Sequence, residues 1–240
     1  MQNQRIASLR KTYDQWLRNT DWDLVSPINL DGLKAVPVRL DLPHIVPAAG
    51  SDEVEMDWLH KELKRQCELQ GGQYGYGGYL ERRTVYSAAN YESVEEGRIR
   101  RRNLHLGFDL WTFEAGVPVF APLAGRVHSL QDNDLLRDYG PTIILEHNPV
   151  AGLVFYTLYG HLSCESLVFR PGQIIEAGAI IGEVGELSVN GGWVPHLHFQ
   201  VILDIDNRVG DFPGVGFADE RDWWAKCCPD PARYFGVTLI

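Results

Sequence analysis

Short apolar runs rich in β-branched and aromatic residues recur through the second half of the chain, and they constrain its fold more than any other feature. Glycine, proline and asparagine separate the runs, which span residues 117–120, 142–146, 153–159, 173–175, 180–184 and 198–203. Short strands with turns between them are typical of antiparallel sheets. The pattern therefore predicts a mainly β domain over residues 83–204.

The two flanking parts of the chain show different patterns. Residues 1–82 are expected to form a helical and irregular extension, with helices over residues 3–18 and from a capping box at Asp52 and Glu55 to Gly71. Prolines between residues 20 and 50 leave room only for short strands such as 35–42. The Gly- and Tyr-rich stretch 71–80 indicates a loop, either a plain connector or a substrate wall. Residues 205–240 are expected to pack on the β domain as an irregular tail with one short helix.

Charge and composition narrow the class of partner. The chain has 22 basic and 32 acidic residues, a net charge of −10, which argues against nucleic acid or an anionic surface as a partner. We find no apolar run of the ~18 residues that a membrane span needs, and the charged start lacks a signal-peptide core, so a cytoplasmic location away from membranes is expected. The cysteines have no C-x-x-C spacing and are expected to be free thiols, with Cys164 buried. The sequence leaves the oligomeric state open.

Two histidines stand two residues apart inside the last apolar run. On a strand, His196 and His198 would point to the same face. Earlier in the chain, His105 and Asp109 lie four residues apart, and Gly107 between them permits a bend that would bring their side chains together. One histidine of the later pair would complete a set of three nitrogen and oxygen ligands with an open fourth position, which is typical of a catalytic zinc site. The spacing leaves open which of the two histidines binds the metal.

A third histidine motif follows the strand predicted at residues 153–159. His161 comes directly after Tyr159 and Gly160, and a histidine at a strand end beside glycine is well placed to face a cleft. The other histidines are expected to be structural or solvated: His44, His60, His128 and His147.

The order of these motifs, H-x-x-x-D, then Y-G-H-L, then H-L-H-F, resembles that of the LytM/lysostaphin-type zinc metallopeptidases, which cleave peptides in or derived from peptidoglycan. The spacers at residues 116–127 and 171–185 match as well. The resemblance implies an antiparallel β catalytic domain of the duplicated hybrid motif type, with Zn²⁺ held by His105, Asp109 and His198. It also implies catalytic roles for His161 and His196, one as the base and the other stabilising the oxyanion.

The segment that leads into the histidine pair departs from the family. It reads Asn190-Gly191-Gly192-Trp193-Val194-Pro195, where the family has a short Ser/Thr-Gly segment. This part resembles instead a peptidase-like module found between phosphotransferase and class III aminotransferase domains in larger proteins. We expect Trp193 and Tyr159 to contact the substrate, a peptide or muropeptide.

Two alternatives remain open at this point. One is an inactive metal-binding relative that recognises a peptide. The other is a phosphocarrier-like module, because the segment from His105 to Asp109 also resembles the His-x-Gly-x-Asp of sugar-phosphotransferase carriers.

Overall fold

A computed structural model describes residues 2–20, 25–45, 54–95 and 97–237. It is mainly β, as the sequence predicts. Its helices and strands, in chain order, are α1 Gln2–Asn19, β1 Ala35–Pro37, α2 Met56–Leu69, β2 Tyr74–Gly77, β3 Glu92–Glu95, β4 Arg98–Arg101, β5 Leu104–His105, β6 Phe108–Trp111, β7 Pro118–Phe120, β8 Gly125–Asn133, β9 Gly140–Val150, β10 Leu153–Gly160, β11 Ile174–Ile175, β12 Ile180–Glu183, β13 His196–Ile202, β14 Val215–Gly216 and α3 Arg221–Cys227.

Within the described residues, eight strands form one large sheet in the order β1-β2-β6-β13-β10-β9-β8-β11. The pair β1 and β2 is parallel, and the other neighbours run antiparallel. The prediction of an antiparallel β architecture is therefore confirmed. The sequence pattern does not predict β8, because its buried positions include a serine and an asparagine and its exposed positions are polar.

The Gly- and Tyr-rich stretch contains a strand rather than only a loop. β2 lies between β1 and β6 and pairs Gly77 with Asp109. A Cβ atom at Gly75 would lie about 3 Å from the side chains of Val38 and Cys67, so glycine allows α2 and the β1 segment to pack closely on this strand. Residues before position 83 thus extend the main sheet, and the division of the chain at residues 82 and 204 stays a prediction.

Helix α1 matches the expected helix, and α2 begins later than its predicted capping box. Asp52 lies outside the described residues, and Glu55 precedes α2 without a side-chain hydrogen bond to the helix. All four cysteines are free, but Cys164 is exposed rather than buried because it opens a one-turn 3₁₀ helix on the surface. No helix in the described part of the chain combines the length and the apolar character that a membrane span requires.

Along β13, successive side chains point alternately into the main hydrophobic core and to the opposite face of the sheet. Leu197, Phe199 and Val201 point into the main hydrophobic core. The two histidines and Gln200 alternate with them, so they face the other side of the sheet. This alternation places the site residues of β13 on the face away from the main core.

Helix α1 closes the core side of the sheet. The rings of Tyr13 and Trp16 lie 5.1 and 5.3 Å from the ring of Phe155 on β10. The Tyr13 and Tyr234 hydroxyls form a hydrogen bond of 3.0 Å in the buried core. Segments near both ends of the chain therefore share one core with the sheet.

Replacing Tyr13 by alanine is expected to lower the free energy of unfolding by about 3–5 kcal/mol, because the change empties a fully buried aromatic position. Tyr13→Phe keeps the ring and removes one hydrogen bond, so a loss of about 1 kcal/mol is expected. Urea denaturation measures both losses, with the exposed Lys11→Ala on the same helix as a control within about 0.5 kcal/mol of the unmutated protein. Equal losses for the two Tyr13 variants would contradict the packing role of the ring.

Candidate metal centre

Three strands bring His105, Asp109 and His198 together. Asp109 on β6 and His198 on β13 are direct cross-strand partners, so their side chains lie side by side. His105 ends β5, which belongs to a different sheet, and the chain bends at Gly107 before β6 begins. Glycine is also needed there because a Cβ atom would lie 2.5 Å from the His198 ring.

The three side chains converge on one point. His105 Nε2 lies 2.9 Å from His198 Nδ1 and 3.2 Å from Asp109 Oδ1. His198 Nδ1 lies 3.1 Å from the same oxygen. Among the described residues these three side chains form a group that could hold a metal ion, whereas His196 Nε2 lies 3.8 Å from Asp109 Oδ1 and is outside the group. Of the two histidines on β13, His198 belongs to this group, and its role as a metal ligand stays a prediction.

Neighbouring acceptors determine which nitrogen of each histidine carries the proton. His105 Nδ1 donates to the Gly78 carbonyl at 2.8 Å, and His198 Nε2 donates to Gln200 Oε1 at 3.0 Å. The Gln200 amide is oriented in turn, because its nitrogen donates to the Pro213 carbonyl at 3.1 Å. In each neutral ring the nitrogen that faces the site is therefore bare.

The donor set fits a zinc ion. Burial is the main reason why the pKa of His105 falls to about 3, so its ring is neutral at ordinary pH. Two imidazole nitrogens and a carboxylate oxygen stand 2.9–3.2 Å apart, so three donor atoms of the kinds that zinc prefers can bind one ion. A tetrahedral zinc ion with bonds of about 2.0–2.1 Å would separate its ligands by about 3.3 Å, close to these distances.

The second oxygen of Asp109 is held by a residue outside the predicted motifs. Asp109 Oδ2 accepts a hydrogen bond of 2.6 Å from Arg83 Nη1, which also donates to the Tyr86 hydroxyl at 2.9 Å. Arg83 Nε donates to Glu81 at 2.6 Å. Burial raises the pKa of Asp109, but the nearby His105 and Arg83 outweigh it and hold this pKa well below its ordinary value. Asp109 is therefore an ionised carboxylate with Oδ1 turned towards the two histidines.

Two further histidines lie beside this group, with ring centroids 4.2 Å apart. His161 Nδ1 donates to the Asn190 carbonyl at 2.9 Å, and His196 Nδ1 donates to the Val194 carbonyl at 2.6 Å. Each ring therefore has a bare Nε2 that can accept a proton. Burial is the main cause that lowers the pKa of His196 to about 4 and that of His161 well below its ordinary value.

The backbone around His161 is held in an unusual conformation. Its φ of 62° lies in the left-handed region, which non-glycine residues adopt only where the surroundings fix it. His161 N donates to the Tyr139 carbonyl at 2.8 Å. The Asn190 side chain donates to the carbonyls of Gly185 and Trp193 at 3.1 and 3.0 Å, so the segment that accepts from His161 is itself fixed.

All five site side chains line one cavity of about 180 Å³, and Trp193 lines it as well, so its contact with a substrate stays a prediction. Tyr159 lies elsewhere, which corrects the expectation that it contacts the substrate. Its ring is fully buried in the main core against Phe199, at a centroid distance of 5.2 Å. On β10 the next residue, Gly160, pairs with His198, so alternation turns Tyr159 to the opposite face.

Sequence reasoning does not identify Gln200 or Arg83. A signal for Gln200 exists, because it lies two residues after His198 on the same strand and must share its face. Arg83 gives no such signal, since it lies 26 residues from Asp109 and meets it through tertiary packing.

Comparisons with known proteins point to a peptidase family. Residues 103–209, a little under half of the chain, match the model of peptidase family M23. No curated protein sequence matches the chain.

Solved structures similar to the chain include lysostaphin and two M23 proteins. Lysostaphin is 28% identical, with 48% of this chain and 40% of that chain covered and a TM-score of 0.35. The catalytic domain of the M23 protein EnpA from Enterococcus faecalis is 20% identical, with coverages of 53% and 88% and a TM-score of 0.37. A peptidase M23 protein from Pseudomonas aeruginosa is 21% identical, with coverages of 77% and 63% and a TM-score of 0.38. Because these TM-scores lie below 0.5, the case for the site rests on the chain's own residues.

Replacing Arg83 by methionine is expected to lower the free energy of unfolding of the metal-free protein by about 3–5 kcal/mol, because the Asp109 carboxylate then stays buried without its ion pair. Arg39→Met is the matched control, since Arg39 pairs with Asp41 at the surface and a loss of at most about 1 kcal/mol is expected. Urea denaturation in the presence of a chelator measures both. A loss for Arg83→Met no larger than that of the control would contradict the role of this ion pair.

Proposed function

We propose that the protein is a zinc-dependent metallopeptidase that hydrolyses amide bonds in peptidoglycan-type or related peptides. The convergence of His105 Nε2, Asp109 Oδ1 and His198 Nδ1 carries this proposal. Two bare imidazole nitrogens beside that group supply the acid-base chemistry that a peptidase needs. The match of residues 103–209 to peptidase family M23 supports the same reaction class.

In this proposal His105, Asp109 and His198 hold the zinc ion, which when bound lowers the pKa of water to about 7 and polarises the scissile carbonyl. Gly78 and Gln200 keep the two ligand histidines in the required tautomers. Arg83 occupies Asp109 Oδ2, so that the carboxylate offers one oxygen to the ion.

His161 and His196 move the proton. Their Nδ1 atoms are committed to backbone carbonyls, so Nε2 is the atom that accepts a proton from the attacking water. The ring that accepts this proton can pass it to the leaving amine, and the partner ring, 4.2 Å away, orients the water or the oxyanion. Burial keeps both rings neutral at ordinary pH, so each has an unprotonated Nε2.

The two other readings of the sequence differ in how they fit this geometry. A phosphocarrier needs an accessible histidine, whereas His105 is 1% exposed and its Nδ1 donates to the Gly78 carbonyl. An inactive metal-binding relative would keep the zinc and lack hydrolysis, and the next experiment separates it from a peptidase.

The purified protein is expected to contain about one zinc ion per chain, and Asp109→Ala is expected to lose it. His161→Ala is expected to keep the zinc and to lose at least about 100-fold in the hydrolysis of peptidoglycan-derived peptides, because a general base contributes about 10²–10⁴-fold. Elemental analysis and release of free amines measure the two properties.

His128→Ala is the control for this experiment, because His128 lies on β8 and bonds to Ser129. It is expected to keep both the zinc and the rate. Absence of near-stoichiometric zinc in the unmutated protein would contradict the metal site. Equal hydrolysis rates for the unmutated protein and His161→Ala would favour the inactive relative.

A further inference from the structure

Tyr86 lies in the wall of the site cavity, and its hydroxyl group is able to donate a hydrogen bond to a ligand. Its oxygen accepts a hydrogen bond of 2.9 Å from Arg83 Nη1. Because a guanidinium can only donate, this bond leaves the hydroxyl proton of Tyr86 unused. The Tyr86 side chain makes no other hydrogen bond to the residues that the structure describes.

Arg83 holds this hydroxyl beside the candidate metal centre. The same guanidinium nitrogen, Nη1, donates to Asp109 Oδ2 at 2.6 Å, so one atom binds both the carboxylate and the tyrosine. The Tyr86 ring also stacks on His105, at a centroid distance of 6.3 Å. The position of the hydroxyl is therefore fixed relative to two of the three proposed zinc ligands.

The other tyrosines of the cavity wall have already used their hydroxyl protons. Three tyrosines of the described residues line the cavity: Tyr86, Tyr91 and Tyr139. The Tyr91 hydroxyl donates to the Arg137 carbonyl, and the Tyr139 hydroxyl donates to the Phe212 carbonyl at 3.1 Å. Of the three, Tyr86 is the one whose proton is not committed to a backbone carbonyl.

The bond from Arg83 also makes Tyr86 a better donor. A tyrosine hydroxyl keeps its proton at neutral pH, since its ordinary pKa is about 10. A hydrogen bond that the oxygen accepts polarises the O–H bond and strengthens the bond that the same group donates. The donor of this bond is a buried cation, because Arg83 is 4% exposed. The hydroxyl is therefore suited to an acceptor that carries negative charge.

We propose that Tyr86 is a catalytic residue whose hydroxyl donates a hydrogen bond to the peptide oxygen that becomes negatively charged when water attacks the carbonyl. This inference rests on the proposed function. It adds a donor from outside residues 103–209, the region that matches the peptidase family. The hydroxyl keeps its proton throughout, so proton transfer stays with His161 and His196.

Tyr86→Phe tests the donor, because it keeps the ring and removes the hydroxyl. Loss of one such donor costs about 10²–10³-fold in kcat, so we expect a fall of at least about 100-fold with KM changed by less than about threefold. Release of free amines from peptidoglycan-derived peptides measures both constants on the full zinc-loaded chain. Tyr79→Phe is the matched control, because its hydroxyl donates to the Cys228 carbonyl at 2.7 Å and its side chain does not line the cavity. It is expected to keep the rate of the unmutated protein.

Two binding measurements separate donation to the substrate from support of Arg83. The first is calorimetry with a blocked Ala-Ala phosphinate, in which a negatively charged PO₂–CH₂ group replaces the amide. We expect Tyr86→Phe to bind this probe at least about 30-fold more weakly than the unmutated protein and Tyr79→Phe do. The second is chelator competition for zinc, in which we expect the affinity of Tyr86→Phe to stay within about threefold of that of the unmutated protein.

The outcomes distinguish this inference from the proposed function. Weaker phosphinate binding by Tyr86→Phe, without hydrolysis by the unmutated protein, would support the donor and contradict the peptidase activity. Unchanged kcat and phosphinate binding in Tyr86→Phe would overturn the donor and leave the peptidase activity standing. A fall of more than tenfold in the zinc affinity of Tyr86→Phe would assign the hydroxyl to the support of Arg83 and overturn the proposal, as would an unmutated protein that does not bind the phosphinate.

Discussion

The convergence of three buried side chains, two histidines and one carboxylate, is the constraint on which the proposed account of this protein depends. The backbone positions Asp109 and His198 as cross-strand partners, and hydrogen bonds to Gly78 and Gln200 turn a bare nitrogen of each histidine inward. Such an arrangement offers three nitrogen and oxygen donors to one cation. Metal binding and the native fold are therefore coupled in the account, because only the folded chain brings the three atoms together.

Much of what supports this group lies outside the region that matches the peptidase family. Three residues that precede residue 103 contact the site. Gly78 accepts a hydrogen bond from His105, Arg83 forms an ion pair with Asp109, and the Tyr86 ring packs beside His105. Of these three residues, Gly78 belongs to the extension predicted over residues 1–82, and Arg83 and Tyr86 lie at the start of the predicted β domain. In the proposed account, residues 78–86 fix the tautomer of His105 and balance the charge of Asp109.

The sequence predicts the residues of the candidate site better than it predicts the residues that surround them. Strand periodicity suffices for the antiparallel sheet and for placing His196 and His198 on one face, whereas the set of His105, Asp109 and His198 follows only from the resemblance to the metallopeptidase family. The same periodicity places Gln200 beside His198 and turns Tyr159 into the core. Periodicity does not predict the contact of Arg83 with Asp109 or the pairing of β2, since both depend on packing between segments that are distant in sequence.

The central claim is tested most directly by crystals of the zinc-loaded protein, with anomalous scattering measured on both sides of the zinc absorption edge. The account predicts one zinc ion about 2.0–2.1 Å from His105 Nε2, His198 Nδ1 and Asp109 Oδ1, with Arg83 still on Asp109 Oδ2. A zinc ion bound through His196 in place of His198, or no anomalous peak among these three side chains, would contradict it.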